Sequence, residues 1–132
     1  MRTNKKYLLD INILIEFLEE TPSVVEHVLK VGSRQCCMSV VSLHELFYGA
    51  YLAKEKKKEY YDKEYFAVLP INANGESYGK IKYALRKIGK PVDEFDMLIA
   101  SQAVNEGLTV VTDNIKHFEN MPDVKVVNWM ER

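Results

Sequence analysis

Four acidic residues each stand alone in a stretch of sequence that is otherwise apolar: Asp10, Glu45, Asp96 and Asp113. Asp10 interrupts the run YLLDINILI, and Glu45 is the only Asp, Glu, Lys or Arg within residues 38–53. A buried carboxylate without a partner costs several kcal/mol of folding free energy or takes up a proton. If the fold gathers these acids, a hard divalent cation such as Mg²⁺, which takes oxygen ligands, would relieve their mutual repulsion.

Each acid also has an ordinary structural explanation. Asp10 and Asp113 could be turn residues at strand ends, where Asp is common. Asp96 could be a first-turn acid that interacts favourably with its helix dipole. Glu45 is harder to explain in this way, because it would lie in mid-helix with no Lys or Arg within a turn. The helix around it is apolar almost all round, which predicts that Glu45 lies within a buried helix.

The elements that must position these acids alternate between strands and helices. Short apolar runs predict strands at residues 5–10, 34–40, 67–71, 108–112 and 124–129. Helices are expected at residues 12–20, 21–32, 42–66, 74–90 and 93–107. Asn12, Thr21 and Asp93 are the expected caps of three of them. The long helix could start at Ser39 or Ser42, and we expect it to bend or break near Lys54.

This alternation predicts an α/β fold with a parallel sheet that is covered by helices on both faces. Such folds place their sites at the carboxyl ends of the strands, near the point where the strand order reverses. If the first and fourth strands are central, Asp10 and Asp113 would lie side by side at this edge.

Composition and length limit the kinds of protein that this chain can be. The chain has 132 residues, and we expect residues 1–132 to form a single domain. A net charge of -1 argues against a globally basic nucleic-acid binder, although a local basic patch remains open. The start of the chain superficially resembles a signal peptide, but Asp10 interrupts its apolar run. Since no apolar stretch reaches the roughly 20 residues that span a bilayer, we expect a soluble, cytoplasmic protein.

Cysteine and histidine give no pattern typical of a metal or redox site. Cys36 and Cys37 are neighbours in a predicted strand, so we expect buried, reduced thiols. His27, His44 and His117 have no metal-ligand spacing and are expected on the surface or on helix faces. The sequence contains neither a glycine-rich phosphate loop nor a nucleophilic serine motif. The isolated carboxylates are therefore the strongest candidates for chemistry.

The sequence resembles the PIN domain, and within it the toxin branch of VapC-like ribonucleases. Four segments carry the resemblance, in matching order and spacing along essentially the whole chain: LLDINILIEF, MSVVSLHELFYGA, PVDEFDMLIASQAV and VVTDNIKHF. The resemblance implies a three-layer α/β/α sandwich with a parallel sheet of four or five strands. It also implies cleavage of RNA by an acidic cluster that depends on Mg²⁺ or Mn²⁺.

The resemblance also assigns roles to individual residues. Asp10, Glu45 and Asp96 match the three acids of the family pattern, and Thr112 matches its hydroxyl. At the fourth position the family has Asn or Asp, which aligns with Asn114 and leaves Asp113 at a variable position. We expect Asp113 to be the charged contributor and Asn114 its polar support. Ile11 stands where the family often has Thr or Ser, which puts a secondary contact in doubt.

Partners follow from the same resemblance, which implies a homodimer and a VapB-like antitoxin that covers the site. Apolar helices around residues 14–29 and 46–52 could offer a surface for such a partner, or they could be ordinary core. RNA could contact a basic face on the fourth predicted helix, where Tyr83 could stack on a base. This face could equally be a solvated helix surface, and its residues are Lys80, Lys82, Arg86, Lys87 and Lys90. The lysine-rich run at residues 54–64 alternates with acids and is expected to be solvated helix.

Three other functions compete with the toxin. A PIN nuclease could process RNA outside a toxin–antitoxin system or cut structured DNA. A phospho-acceptor receiver domain also has an Asp at a strand end, but it requires an acidic pair near the start and a Lys after a late strand. A PIN domain that only binds RNA would not need the acids that this chain retains.

Overall fold

The computed structural model describes residues 4–53 and 65–130. Five parallel strands form one sheet: β1 (Tyr7–Leu9), β2 (Cys36–Ser39), β3 (Ala67–Leu69), β4 (Thr109–Val111) and β5 (Lys125–Val127). Their spatial order is β3-β2-β1-β4-β5, so β1 is central. Along the chain, β2 and β3 are added on one side of β1, and β4 and β5 are then added on the other side. The order therefore reverses between β1 and β4.

In the described part of the chain, five α-helices connect or flank the strands: α1 (Ile11–Leu18), α2 (Pro22–Val31), α3 (Val40–Ala53), α4 (Glu76–Lys87) and α5 (Glu94–Glu106). Two short 3₁₀ turns, Ser33–Gln35 and Ile115–His117, precede β2 and follow β4. Within the described ranges, no helix is long and apolar enough to cross a membrane.

Helices cover both faces of the sheet because successive side chains of a strand point to opposite sides. Leu8 of β1 belongs to one core cluster together with Ile81 of α4 and Ile99 of α5. Leu9, the next residue, belongs to a second cluster that contains residues of α1 and α2. The predicted three-layer α/β/α sandwich with a five-stranded parallel sheet is confirmed.

The start of α1 differs from the prediction. Asp10, and not Asn12, is the N-cap, with an extended backbone at φ -68 and ψ 162, and Asn12 lies inside the helix. Asp10 fits this position because its carboxylate accepts a hydrogen bond from the backbone N–H of Ile11. Thr21 precedes α2 as predicted, although its hydroxyl bonds to Glu16 instead of capping the helix.

The helix α3 starts at the first of its two predicted positions but differs from the prediction in its end and its burial. It begins at Val40, where Ser39 caps it by accepting a hydrogen bond from Val41 N at 3.0 Å. Residues 65–66 form a bend before β3, so the helix predicted to reach residue 66 ends earlier. The bend expected near Lys54 and the lysine-rich run lie outside the described residues.

The helix α3 is also not buried all round. Leu46 and Ala50 face the core, whereas Tyr48, Tyr51 and Leu52 are 65% to 71% exposed. The apolar face at the helix end is therefore a surface, which the composition of the helix did not indicate.

The two cysteines are buried free thiols, as predicted. Burial raises the pKa of Cys36 to about 11 and that of Cys37 to about 12. Both are therefore protonated near neutral pH and make poor nucleophiles or metal ligands.

Candidate active site

The candidate site lies where β1 and β4 end side by side. Leu9 pairs with Val111, so the residues that follow, Asp10 and Thr112, leave the sheet together. The backbone N–H of Asp10 still donates to the carbonyl of Val111 at 2.9 Å. This is the reversal point of the strand order, where parallel α/β sheets open a crevice.

Asp10 is a buried carboxylate that both neighbouring strand ends hold in place. It is 5% exposed. Its Oδ1 accepts from the backbone N–H of Ile11 at 2.8 Å, and its Oδ2 accepts from the hydroxyl of Thr112 at 3.0 Å. Burial raises the pKa of Asp10, the two hydrogen bonds lower it, and the charges of Asp96 and Asp113 raise it further. Asp10 is therefore close to other acids as well as desolvated.

Glu45 extends the group of acids from the side of α3. It is half-buried, on a helix that the sequence predicted to be buried. Burial raises the pKa of Glu45, and the charges of Asp10, Asp93 and Asp96 raise it further. These carboxylates therefore lie within electrostatic range of one another, although they are far apart in sequence.

Asp96 comes from the first turn of α5, and its side chain is 16% exposed. Its Oδ2 accepts a hydrogen bond from Nδ1 of His117 at 2.7 Å. Burial raises the pKa of Asp96, the bond and charge of His117 lower it, and the charge of Asp93 raises it. The helix α5 thus delivers a third desolvated acid to the site.

Asp113 and Asn114 differ in their surroundings. Asp113 is exposed, and its Oδ1 accepts a hydrogen bond from Nδ2 of Asn12 at 3.4 Å. Asn114 is half-buried, and its backbone N–H donates to the hydroxyl of Thr112 at 3.0 Å. Asp113 acts on the site through its charge, which raises the pKa of Asp10. Asn114 instead supports Thr112, which in turn holds Asp10.

Two residues near the acids were not predicted to belong to the site. Asp93 was expected to cap α5, but it makes no side-chain cap bond, and its charge raises the pKa values of Glu45 and Asp96. Its spacing of three residues from Asp96 on one helix was a usable signal. His117 was expected on the surface, and it is partly exposed there, but it also bonds to Asp96.

The donor set fits a hard divalent cation. Among the residues that the structure describes, no three Asp, Glu, His or Cys side chains are already close enough together to hold a metal ion. Mg²⁺ needs only one or two carboxylates, because it keeps several of its waters. Asp10 and Asp96 present carboxylate oxygens, and neighbouring acids raise the pKa values of both. A divalent cation would remove this repulsion.

The predicted basic face lies on α4 except for Lys90, because the helix ends at Lys87 and not at residue 90 as predicted. Two of its members have partners within the protein. Lys80 pairs with Asp123 at 2.9 Å, and Lys82 pairs with Glu94 at 2.8 Å. Arg86 lies near enough to Glu94 that its charge lowers the pKa of that acid. Glu94 lies in the first turn of α5, as does Asp96, so the helix turn that carries Asp96 also contacts α4.

The other two basic residues, Lys87 and Lys90, are exposed. Lys87 lies over the ring of Tyr83, with 5.8 Å between the ammonium nitrogen and the ring centre. Tyr83 is itself 69% exposed. An exposed aromatic ring beside cations has the composition of a surface that binds nucleic acid.

Comparisons with known proteins agree on one family. A family model described as "PIN domain" matches residues 7–124. The chain is 32% identical over 129 residues to a protein of Shigella flexneri named "tRNA(fMet)-specific endonuclease VapC", covering 94% of this chain and 98% of that one. It is 30% identical over 135 residues to "Ribonuclease VapC2" of Haemophilus influenzae, covering 95% of this chain and 98% of that one.

Solved structures show the same likeness. The chain superposes on a chain of a DNA-bound VapBC crystal structure from Salmonella typhimurium with a TM-score of 0.82 and 28% identity, covering 95% of this chain and 98% of that one. The structural similarity to this VapBC chain therefore extends over the whole sandwich, and it includes the strands and helices that carry the acids.

Proposed function

This chain belongs to the PIN domain family, as a ribonuclease of the VapC type, and we propose that Asp10, Glu45, Asp96 and Asp113 form its catalytic centre. The observation that supports this most directly is the meeting of acids at the ends of β1 and β4. Asp10 and Asp96 are desolvated there, and their charges interact with those of Glu45 and Asp113. A bound divalent cation would offset this repulsion between like charges.

In this centre Asp10 and Asp96 would hold a divalent ion through their carboxylate oxygens. When bound, such an ion lowers the pKa of water and neutralises charge that builds on the phosphate. Glu45 orients the attacking water and accepts its proton, a role that its raised pKa favours. Asp113 contributes charge at the exposed side of the site, and Thr112 and Asn114 support Asp10. The all-oxygen donor set suits Mg²⁺, with Mn²⁺ as a substitute.

The proposed substrate is a structured RNA of the tRNA class. Two relatives are named as an endonuclease specific for tRNA(fMet) and as a ribonuclease. We infer that RNA phosphates contact Arg86 and Lys87 of α4 and Lys90 just beyond it. Lys80 and Lys82 would join them by leaving their partners. The exposed ring of Tyr83 would stack on a base. The single domain would act in the cytoplasm, where RNA is present and thiols stay reduced.

The proposed protein partners are a VapB-like antitoxin and a second copy of the chain. A cavity of about 300 Å³ opens beside Phe17, Leu18, Val25 and Tyr65, at the end of α1 that is remote from Asp10. Glu20 also lines it, so it offers a mixed apolar and acidic site for an antitoxin segment. The exposed apolar face of α3 offers a separate surface for a homodimer.

The test is cleavage of a total RNA pool that includes tRNA, with purified, antitoxin-free protein. Wild type and Asp96→Asn are compared in Mg²⁺ and in EDTA. We expect discrete cuts by wild type in Mg²⁺ alone. Equal cutting by both proteins would mean contamination or a wrong site assignment, and no cutting by either would favour a domain that only binds RNA.

A second pair of variants tests the fourth position. Asp113→Asn removes the charge, and Asn114→Ala removes the amide but keeps the backbone N–H that bonds to Thr112. We expect Asp113→Asn to lower cleavage more than Asn114→Ala. The reverse order would identify Asn114 as the fourth site residue.

A further inference from the structure

One oxygen of the Asp96 carboxylate is held by His117, a residue outside the predicted acidic centre. The ring Nδ1–H of His117 donates to Oδ2 of Asp96 over 2.7 Å. The bond joins the first turn of α5 to the 3₁₀ turn that follows β4. It engages one of the two carboxylate oxygens, so the other can take a metal ion.

The backbone on both sides of this bond is firmly anchored. The backbone N–H of His117 donates to the carbonyl of Asn114 at 3.1 Å. The next residue, Phe118, is 1% exposed. Met97, which follows Asp96, is buried in the same core cluster as Phe118. Each partner is therefore adjacent to a core residue, and the ring and the carboxylate meet in a geometry set by packing.

We propose that His117 is a positioning residue that orients the Asp96 carboxylate for metal binding. Carboxylates that bind metals are themselves hydrogen-bonded, and loss of such an outer partner typically lowers metal affinity or activity about 10- to 100-fold. Asp10 already has partners of this kind in Ile11 and Thr112. His117 supplies the corresponding bond to Asp96. This role presupposes the metal site proposed above.

Two other roles would give different results when His117 is replaced. An ion pair with no function, at a surface where the His117 side chain is 46% exposed, would leave metal affinity unchanged. A histidine that occupies Asp96 until a metal displaces it would compete with the ion, so its removal would tighten metal binding. Only the positioning role predicts weaker binding.

The experiment is a calorimetric titration of Mn²⁺ into antitoxin-free protein. The variants are His117→Ala, His117→Gln and the control His44→Ala. His44 is a suitable control because it is an exposed histidine whose Nδ1 contacts the carbonyl of Val40 on its own helix. The amide of His117→Gln can still donate a hydrogen bond to Asp96. Circular dichroism and thermal melting verify that each variant is folded.

We expect the Kd for Mn²⁺ to rise about 10-fold or more in His117→Ala. It should recover in part in His117→Gln and stay at the wild-type value in His44→Ala. The Mg²⁺ concentration that gives half-maximal RNA cleavage should rise in parallel, while the rate at saturating Mg²⁺ changes much less. A general loss of stability would not raise the half-maximal Mg²⁺ concentration while leaving the rate at saturating Mg²⁺ nearly unchanged.

An unchanged or tighter Kd in His117→Ala would overturn the positioning role, as would equal weakening in His44→Ala. Asp96→Asn in the same titration separates this failure from a failure of the proposed site. If Asp96→Asn abolishes binding and His117→Ala does not weaken it, only the role of His117 is wrong. If Asp96→Asn also binds Mn²⁺ normally, the metal site itself is misassigned.

Discussion

The hydroxyl of Thr112 donates a hydrogen bond to Oδ2 of Asp10 over 3.0 Å, across the ends of the neighbouring strands β4 and β1. Thr112 is fully buried, and its oxygen also accepts from the backbone N–H of Asn114. One side chain thus fixes both the central acid and the turn that carries Asp113. The position of Asp10 therefore depends on a residue that carries no charge.

Thr112→Val should lower both stability and RNA cleavage while preserving the shape of the core. It removes the hydroxyl and leaves Asp10 without one hydrogen bond, which typically costs about 1–3 kcal/mol in a buried setting. We expect the free energy of unfolding to fall by about that amount and RNA cleavage to fall by about 10- to 100-fold. Urea unfolding and cleavage assays measure the two effects. Thr112→Ser is the matched control, because it keeps the hydroxyl, and loss of activity in both variants would count against this account.

Asp10→Asn should make metal-free stability less sensitive to pH. Burial raises the pKa of Asp10 above 3.8, so the folded state holds this proton more tightly than the unfolded chain does. The stability that this residue contributes is full below pH 3.8 and is lost as pH rises through the raised pKa. Asn has no such proton, so the variant should gain stability relative to wild type as pH rises.

The measurement is urea unfolding of both proteins in EDTA at pH 4 and pH 7.5. A stability difference that is the same at both pH values would show that the pKa of Asp10 is not raised in the metal-free fold. Adding Mg²⁺ should raise the melting temperature of wild type and leave that of Asp10→Asn nearly unchanged, because binding to the folded state alone stabilises it.

The fold and the acids could be predicted because each leaves a local signal. The apolar β-branched runs mark buried parallel strands, and Asp10, Glu45 and Asp96 are conspicuous as isolated charges. The cap of α1 was missed because Asn12 is also a good cap and an apolar run does not show where a strand ends. Both residues are polar and lie two positions apart, so only the pairing of Leu9 with Val111 decides between them.

Tertiary contacts explain the remaining differences. His117 and Asp96 are separated by 21 positions, and no periodic pattern connects them. The exposed end of α3 was also unpredictable, because Tyr48 and Leu52 are as apolar as core residues. An apolar helix face has the same sequence whether the chain itself or a partner covers it. Sequence thus identifies the acids, and packing identifies the residues that hold them.

Removing two cations at the C-terminal end of α4 and just beyond it should weaken the binding of different RNA sequences by a similar factor. The double variant Arg86→Ala/Lys90→Ala removes two proposed phosphate ligands. A plot of the logarithm of the binding constant against the logarithm of the salt concentration should therefore become less steep by about 1 for each cation replaced. Fluorescence anisotropy with tRNA at several salt concentrations measures this slope. The Asp96→Asn background keeps the RNA intact. Lys30→Ala on α2 is the control that replaces a cation on another helix, and an equal effect there would mean that binding is not localised to α4.

Gln102 should couple the end of the sheet to α5, the helix that carries Asp96. Gln102 is 5% exposed. Its Oε1 accepts a hydrogen bond from the Ser39 hydroxyl, and its Nε2 donates to the carbonyl of Leu69 at 3.0 Å. Gln102→Leu removes both bonds and leaves the buried Ser39 hydroxyl without its acceptor, so we expect the free energy of unfolding to fall by about 1–3 kcal/mol.

A double-mutant cycle with Ser39→Ala tests whether the two side chains act as a unit. If they do, the double variant should be less destabilised than the sum of the single variants, by about 0.5–3 kcal/mol. Urea unfolding of the four proteins gives this coupling energy. Ser39 also caps α3 through Val41, so part of its own effect is independent of Gln102. Strict additivity would mean that the Ser39–Gln102 bond contributes nothing to stability, and that Gln102 holds α5 to the sheet only through the carbonyl of Leu69 and through packing.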